Sequence, residues 1–300
     1  MGPIWGIDLG GTKIEGVVLE DRDTPNVLKR IRIPTEREKG YVHIISQLAK
    51  IVEVLSVEVG IKPQKVGVGH PGFLEPSTQL IKNSNTTVLN GMPLKSDLEQ
   101  ALGIPIALAN DANCFAIAET QMGAVKDEVP NAELVFGVIM GTGVGGGVVI
   151  NGKIRSGKHG IAGEWGHNYL DDSGGKCYCG LVGCNETIFS GIALEKYYES
   201  IGGRRLLMKD ILQAYYEGDD EVAKITIDRL VRFFGLAMSK VINTIDPDAI
   251  VLGGGLGNID LLYTVGRKEV EKHVFNATLE TPFLKPKLGD SAGVFGAAFL

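Results

Sequence analysis

The chain lacks most of the features that would place it quickly. It has four cysteines, 7% aromatic residues and no G-K-S or G-K-T triplet, so neither a disulfide framework nor a P-loop is written into it. Basic residues are outnumbered 30 to 36, giving a net charge of −6, and no basic patch points to a nucleic-acid or anionic-membrane partner. The longest basic cluster, Lys29-Arg30-Ile31-Arg32, reads as an exposed strand face. The longest apolar stretch, Leu134 to Ile150, is too short and too glycine-rich to span a bilayer. An apolar strand opens at Ile4 with no basic segment and h-region before it, so no signal peptide and a cytoplasmic location are expected. No low-complexity linker is present, so domains must be joined by ordinary elements.

Glycine is what the chain has in excess, 41 of 300 residues. It concentrates in a few loops, where backbone must approach something closely. The length favours two domains. Ile4–Leu9, Ile14–Leu19 and Val27–Ile33 read as successive strands, and 41–59 as an amphipathic helix. Short buried strands are expected at Val66–Gly69, Ile106–Leu108 and Ile250–Leu252, a helix over Ala112–Met122, and mostly helix from 187 to 245. Val135–Met140 and Val148–Ile154 read as a second strand-turn-strand, and 291–300 as a last helix.

An internal repeat underlies this pattern. A shift of 131 residues lays IWGIDLGGTKIEGVVL from Ile4 over VFGVIMGTGVGGGVVI from Val135. Both copies are strand, glycine turn, strand. Two such turns facing across a cleft would grip a polyphosphate from both sides through backbone N–H groups. In the first, Gly10 and Gly11 let backbone approach phosphate, Thr12 offers a hydroxyl, Lys13 a cation, and Asp8 a carboxylate for a Mg²⁺ shell. A plain hairpin turn is the alternative. The second, Gly141-Thr142-Gly143, lies in a stretch that matches G-x-G-x-x-G by letter. A strand rather than a helix follows it, which excludes a dinucleotide fingerprint.

Asn110-Asp111-Ala112-Asn113 sits between a buried strand and a helix. A carboxylate there can take the proton of a hydroxyl attacking phosphorus, or simply cap the helix. His167 with Cys177, Cys179 and Cys184 supplies one imidazole and three thiols, a tetrahedral zinc set of the closed, structural kind. Cys114 lies on an apolar helix face and reads as inert core. Glu164 and Glu186 flank the cysteine segment and could accept hydrogen bonds from sugar hydroxyls. Paired carboxylates also occur in glycoside hydrolysis, against which the two phosphate-type loops argue.

Cys177-Tyr178-Cys179-Gly180-Leu181-Val182-Gly183-Cys184-Asn185-Glu186 resembles the C-x-C-G-x-x-G-C-x-E signature of the ROK family (repressors, uncharacterised frames and sugar kinases). The resemblance covers nearly the whole chain. It implies the α/β, two-domain, actin-like (ribonuclease H-like) ATPase fold with a cleft between domains. The expected division is 1–118 plus 289–300 as a small domain, with 119–288 as a large one carrying the zinc. With the first phosphate strand at residue 4, no room is expected for the helix-turn-helix of the family's repressors, which favours a kinase.

The resemblance also implies roles. Asp111 would be the catalytic base. Gly72, Asn85, Asn110, Glu164, His167 and Glu186 would contact the sugar, with His167 also on zinc. Gly253, Gly254 and Gly255 would form the adenosine-side loop. The implied ligands are ATP, Mg²⁺, structural Zn²⁺ and a hexose, and the implied assembly is a homodimer. Residues 85–91, 162–168 and 289–294 are similar to those of bacterial fructokinases and mannokinases, which makes the 6-hydroxyl of fructose or mannose the expected acceptor. Glucokinase, N-acetylglucosamine or N-acetylmannosamine kinase, and a non-catalytic sugar-sensing regulator are the alternatives. Two positions depart from those enzymes: Val88 stands where they usually have Trp, and His70 where relatives often have an aliphatic residue.

Overall fold

The computed structural model describes residues 2–300. They divide into two compact units. The first comprises the chain up to Pro130, Gly147–Ala162 and Lys287–Leu300; the second comprises Asn131–Gly146 and Gly163–Pro286.

In the first unit, strands β1 (Ile4–Leu9), β2 (Lys13–Leu19) and β3 (Val27–Pro34) run as an antiparallel meander. Helix α1 (Tyr41–Val59) follows, then β4 (Val66–His70), a small hairpin of β5 (Phe73–Leu74) and β6 (Ile81–Lys82), and helix α2 (Leu94–Leu102). Strand β7 (Ile106–Asn110) leads directly into α3 (Asp111–Met122) and then α4 (Ala124–Glu128). The sheet order is β3-β2-β1-β4-β7, with β1, β4 and β7 parallel. Apolar residues at helical spacing turn α1 onto the sheet, burying Ile44, Leu48, Ile51 and Leu55. Gly16 makes room for Ile51 and Leu55, since a Cβ there would lie 2.8 Å from Leu55 Cδ1.

Strand β3 is an edge, and its alternation has a purpose beyond exposure. Arg30 and Arg32 both reach the buried carboxylate of Glu15 on β2. Two of the three basic residues of the cluster are therefore committed to a buried carboxylate.

In the second unit, β8 (Leu134–Met140) and the start of β9 (Val144–Ile150) precede α5 (Asn185–Phe189), α6 (Gly191–Ser200), α7 (Met208–Glu217) and the long α8 (Glu221–Ile245). Then come β11 (Ala249–Gly253), α9 (Gly254–Gly257), α10 (Arg267–Glu271) and β12 (Phe283–Leu284), with strand order β9-β8-β11-β12. Helix α8 buries Leu230, Phe234, Met238 and Ile242 along one stripe. The far end of β9 hairpins into β10 (Lys153–Ile154), which belongs to the first unit.

The second strand-turn-strand begins earlier than the sequence suggests. Instead of one strand over 148–154, β9 starts at Val144 and ends at Ile150, and the chain turns at Asn151 and Gly152. Gly145–Gly147 read as turn but form strand, and at Gly146 and Gly147 the neighbours leave no space for side chains. A Cβ on Gly146 would lie 2.8 Å from the Trp165 ring, and one on Gly147 would lie 2.6 Å from Ala112 O.

Helix α11 (Ala292–Ala298) brings the end of the chain back to the first unit. It lies so close to β1 and β4 that a Cβ on Gly6 or Gly67 would strike its backbone. Glu119 of α3, fully buried, holds the return: its carboxylate accepts N–H bonds from Ala124 at 2.8 Å, Lys287 at 3.1 Å and Leu288 at 3.0 Å.

Candidate active site

In the first unit the carboxyl ends of β1, β4 and β7 lie side by side, the end of a parallel sheet where ligands bind. They carry Asp8, His70 and Asn110. Asn110 caps α3, its Oδ1 accepting the Asn113 N–H at 2.8 Å. The cap therefore does not consume Asp111, whose Oδ1 accepts the Ala112 N–H at 2.8 Å. Asp111 is exposed at the surface of this unit, with protein packed around it. The loss of bulk water around it raises its carboxyl above the usual range.

Asp8 is half-buried, and its pKa is raised to about 6, first by desolvation, then by the charges of Asp111 and Glu15, against the opposing pull of Lys13. Two carboxylates that disfavour each other's charge are the donor chemistry of a divalent-cation site. Beside them the turn Gly10–Lys13 closes with the Gly10 N–H donating to Lys13 O at 3.0 Å, leaving Thr12 and Lys13 exposed.

Gly72 and Asn85 are brought together. Gly72 adopts φ +79°, and a Cβ there would lie 2.7 Å from Ser84 N. Asn90 clamps the same segment, accepting the Ser84 N–H at 2.8 Å and donating to Ser84 O at 3.0 Å. Asn85 is left exposed beside the buried Ser84 and Thr86. Val88 packs against the core of this unit, so its departure from Trp bears on packing. His70 is buried; its Nδ1 donates to Pro71 O at 3.1 Å while Nε2 has no hydrogen-bond partner. Burial lowers its pKa to about 4, so it is neutral at physiological pH.

The second unit carries the other glycine turn, closed by the Gly141 N–H donating to Gly143 O at 2.9 Å. Glu186 braces it, accepting the Val144 N–H at 2.9 Å, and the Gly191 N–H donates to Gly141 O at 2.7 Å. Gly254, at φ +76°, folds tightly against the end of β8. Thr142, Gly141 and Gly255 then form one side of a cavity of about 430 Å³ whose apolar walls are Ile192, Met208, Leu212, Leu256 and Ile259. Lys209 and Glu195 stand at it as well. The cavity suits a flat aromatic ring with a phosphate tail toward the glycines. Its walls come from α6, α7 and α9. Sequence reasoning found the glycines but not these walls, because an amphipathic helix does not say what its apolar face will meet.

His167, Cys177, Cys179 and Cys184 place one ligand atom each within 4.8 Å of one another. Cys179 Sγ and Cys184 Sγ are 3.7 Å apart, and Cys177 Sγ is 3.6 Å from His167 Nδ1. A tetrahedron with Zn–S bonds of about 2.3 Å has edges of about 3.8 Å, so the donor set fits zinc. His167 Nε2 meets the Tyr178 hydroxyl at 3.0 Å. The Tyr178 pKa is pushed up to about 12 by desolvation and then by Glu186, Cys177 and Glu164, which shows that both carboxylates lie near this loop. Trp165 fixes the segment from below, its Nε1 donating to Gly145 O at 2.8 Å, and Asn185 Nδ2 donates to Trp165 O at 2.7 Å.

Comparison with known proteins gives a consistent result. A family model described as ROK family matches residues 4–300. The N-acetyl-D-glucosamine kinase of Vibrio cholerae serotype O1 is 35% identical over 306 residues, covering 99% of this chain and 98% of that protein. The N-acetyl-D-glucosamine kinase of Histophilus somni is 34% identical over 308 residues with the same coverage. Among solved structures, the ROK hexokinase from Thermus thermophilus superposes with a TM-score of 0.89 at 30% identity, covering 99% of this chain and 97% of that one. A ROK family glucokinase from Streptomyces griseus, solved with glucose and AMPPNP, gives 0.76 at 28% identity, covering 99% and 98%. The likeness carries the actin-like α/β fold. It also redirects the finer expectation, because the relatives near 35% identity are named for N-acetyl-D-glucosamine and not for fructose or mannose.

Proposed function

The chain belongs to the ROK family, and from that premise we propose that it is an ATP-dependent kinase acting on the 6-hydroxyl of N-acetyl-D-glucosamine, with Asp111 as general base. The observation that carries this reading is the division of labour at the start of α3. Asn110 takes the cap, and Asp111 keeps a carboxylate with free lone pairs at the carboxyl edge of a parallel sheet. Its raised pKa makes it a stronger base for a hydroxyl proton.

The sugar oxygen attacks the γ-phosphorus, forming a new P–O bond as the bond to the β-phosphate oxygen breaks. The electron pair leaves with ADP, and the hydroxyl proton passes to Asp111. Gly72, Asn85, Asn110 through its Nδ2, Glu164, His167 and Glu186 are the residues assigned to orient the sugar. Asp8, Gly10, Gly11, Thr12, Lys13, Gly141, Thr142, Gly143 and Gly253–Gly255 are assigned to the nucleotide, whose base would enter the apolar cavity of the second unit. Mg²⁺, when bound, neutralises phosphate charge, and Asp8 is the carboxylate that would hold it. Zinc on His167, Cys177, Cys179 and Cys184 would be structural, since four protein ligands leave it no open position.

The test is ADP release from Mg-ATP against N-acetylglucosamine, N-acetylmannosamine, glucose, mannose and fructose. The highest kcat/KM is expected with N-acetylglucosamine. Preference for fructose or mannose would overturn the substrate and restore the reading drawn from residues 85–91 and 162–168. Sugar binding without ADP release from any of them would overturn the kinase in favour of a sensor.

A further inference from the structure

The segment after β3 contains an arginine that neither the motifs nor the comparisons bring forward. Arg37 opens a short turn whose preceding residue, Glu36, holds φ +51°, a left-handed conformation that non-glycine residues seldom adopt. The Glu36 side chain is held in place by Lys39 at 2.7 Å and His43 at 2.8 Å, so the turn is over-determined. The Arg37 side chain is exposed and makes no ion pair or hydrogen bond with any described residue. Its guanidinium lies over the first glycine turn: a Cβ on Gly11 would be 3.1 Å from Arg37 Nη1. On the same side of Gly11, at 3.5 Å from that point, is Thr86 Oγ1. Thr86 is 1% exposed, and its hydroxyl is among the few buried polar atoms with no partner. A buried hydroxyl left unpaired is costly unless something else satisfies it.

We propose that Arg37, Thr86 and Gly11 form an anion site for the terminal phosphoryl group of the nucleotide as it moves to the sugar. The proposal rests on the kinase reading and adds to it two residues outside the glycine motif. Thr86 adjoins Asn85, assigned to the sugar, and Gly11 belongs to the turn assigned to the phosphates, so the site joins the segments that serve donor and acceptor. Charge in this transfer spreads over the three equatorial oxygens of the moving group, and a planar guanidinium matches two of them at once. The left-handed Glu36 is what turns Arg37 toward Gly11.

The experiment compares binding of Mg·AMP-PNP and Mg·ADP by calorimetry in the intact protein and in Arg37→Ala, with Arg37→Gln as a second variant of similar length. The site touches only the terminal phosphate. Affinity for Mg·AMP-PNP should therefore fall about tenfold or more while affinity for Mg·ADP stays within about twofold. With the preferred sugar, kcat of Arg37→Ala should drop about 10²-fold and recover in part on adding millimolar guanidinium, which a purely structural role would not allow. Thr86→Val should show the same selective loss, smaller in size. Equal changes for both nucleotides, or none, in a variant with unchanged melting temperature would overturn the site. An intact protein that binds neither nucleotide would instead overturn the kinase reading itself.

Discussion

The two strand-turn-strand copies share the length of their turn and second strand but differ in chemistry. Strand β1 ends at Leu9 and β8 at Met140; β2 runs Lys13–Leu19 and β9 runs Val144–Ile150, each pair offset by 131 residues. Each copy also lays its first strand parallel to a later one, β1 to β4 and β8 to β11. The turns then diverge. In the first, Gly10 reaches forward to Lys13; in the second, Gly141 reaches only to Gly143. The first copy holds charge of its own in Asp8 and Lys13. The second holds none and borrows a brace from Glu186. The repeat thus specifies a backbone shape that presents N–H groups, and the charges were distributed over it separately. The charged copy sits with Asp111, the proposed base, and the uncharged one with an apolar cavity.

If that division is right, its largest consequence falls on the first unit. Asp111→Ala should lose at least about 10²-fold in kcat while sugar affinity is partly kept. Near-normal turnover would remove the chemical role of the charged copy. The next effect falls on the second unit. Stripping zinc with a chelator, or Cys184→Ser, should lower the melting temperature and raise KM for nucleotide, because Gly191, Glu186 and the cysteine loop are contiguous with the second turn. Full activity and an unchanged melting temperature after chelation would show that the loop stands without metal.

The smallest effect is a pH dependence confined to the first unit. Asp8 binds its proton more tightly in the folded state, with pKa about 6 against an ordinary 3.8. Its contribution to stability therefore falls as pH rises through that window. His70 is the reverse, at about 4 against 6.5, so its contribution is lost as pH falls. The two oppose each other over nearly the same range. In Mg²⁺-free buffer, His70→Leu should gain melting temperature relative to the unmodified protein as pH drops from about 6.5 to about 4. Parallel curves would mean that His70 does not titrate against folding.

The features legible in the sequence are those carried by near neighbours in the chain. Cys177, Cys179 and Cys184 announce a candidate metal site by spacing, and the fourth donor, His167, is only ten positions away. The repeat announces two glycine turns because every residue of each turn is local. A capped helix start with a carboxylate at Asp111 was readable, but not whether Asp111 itself is the cap, since that depends on rotamers. What escaped depends on distant segments. Arg37 and Thr86 meet over Gly11 from three places in the chain, Glu119 binds residues about 168 positions on, and Ile192, Met208 and Leu256 share a cavity only after three helices have packed. The early start of β9 escaped for a related reason: Gly145–Gly147 are glycines to admit Trp165 and α3, and from the sequence alone such glycines look like a turn. On the sugar, the local segments and the whole-chain comparisons point to different members of the alternatives that the sequence leaves open. The segments around 85–91 and 162–168 pointed to fructose and mannose, while relatives matched along the whole chain are named for an N-acetylated hexose.

The clamp at Glu119 has a consequence for how the protein is made. Helix α11 covers the sheet β3-β2-β1-β4-β7, pressing on Gly6 and Gly67, and Glu119 fastens the stretch of chain that delivers it. During synthesis the first unit emerges early but cannot finish its core until residue 298 has left the ribosome. The whole second unit is translated in between. The second unit, an almost uninterrupted stretch, can close first, so the order of maturation runs opposite to the order of translation.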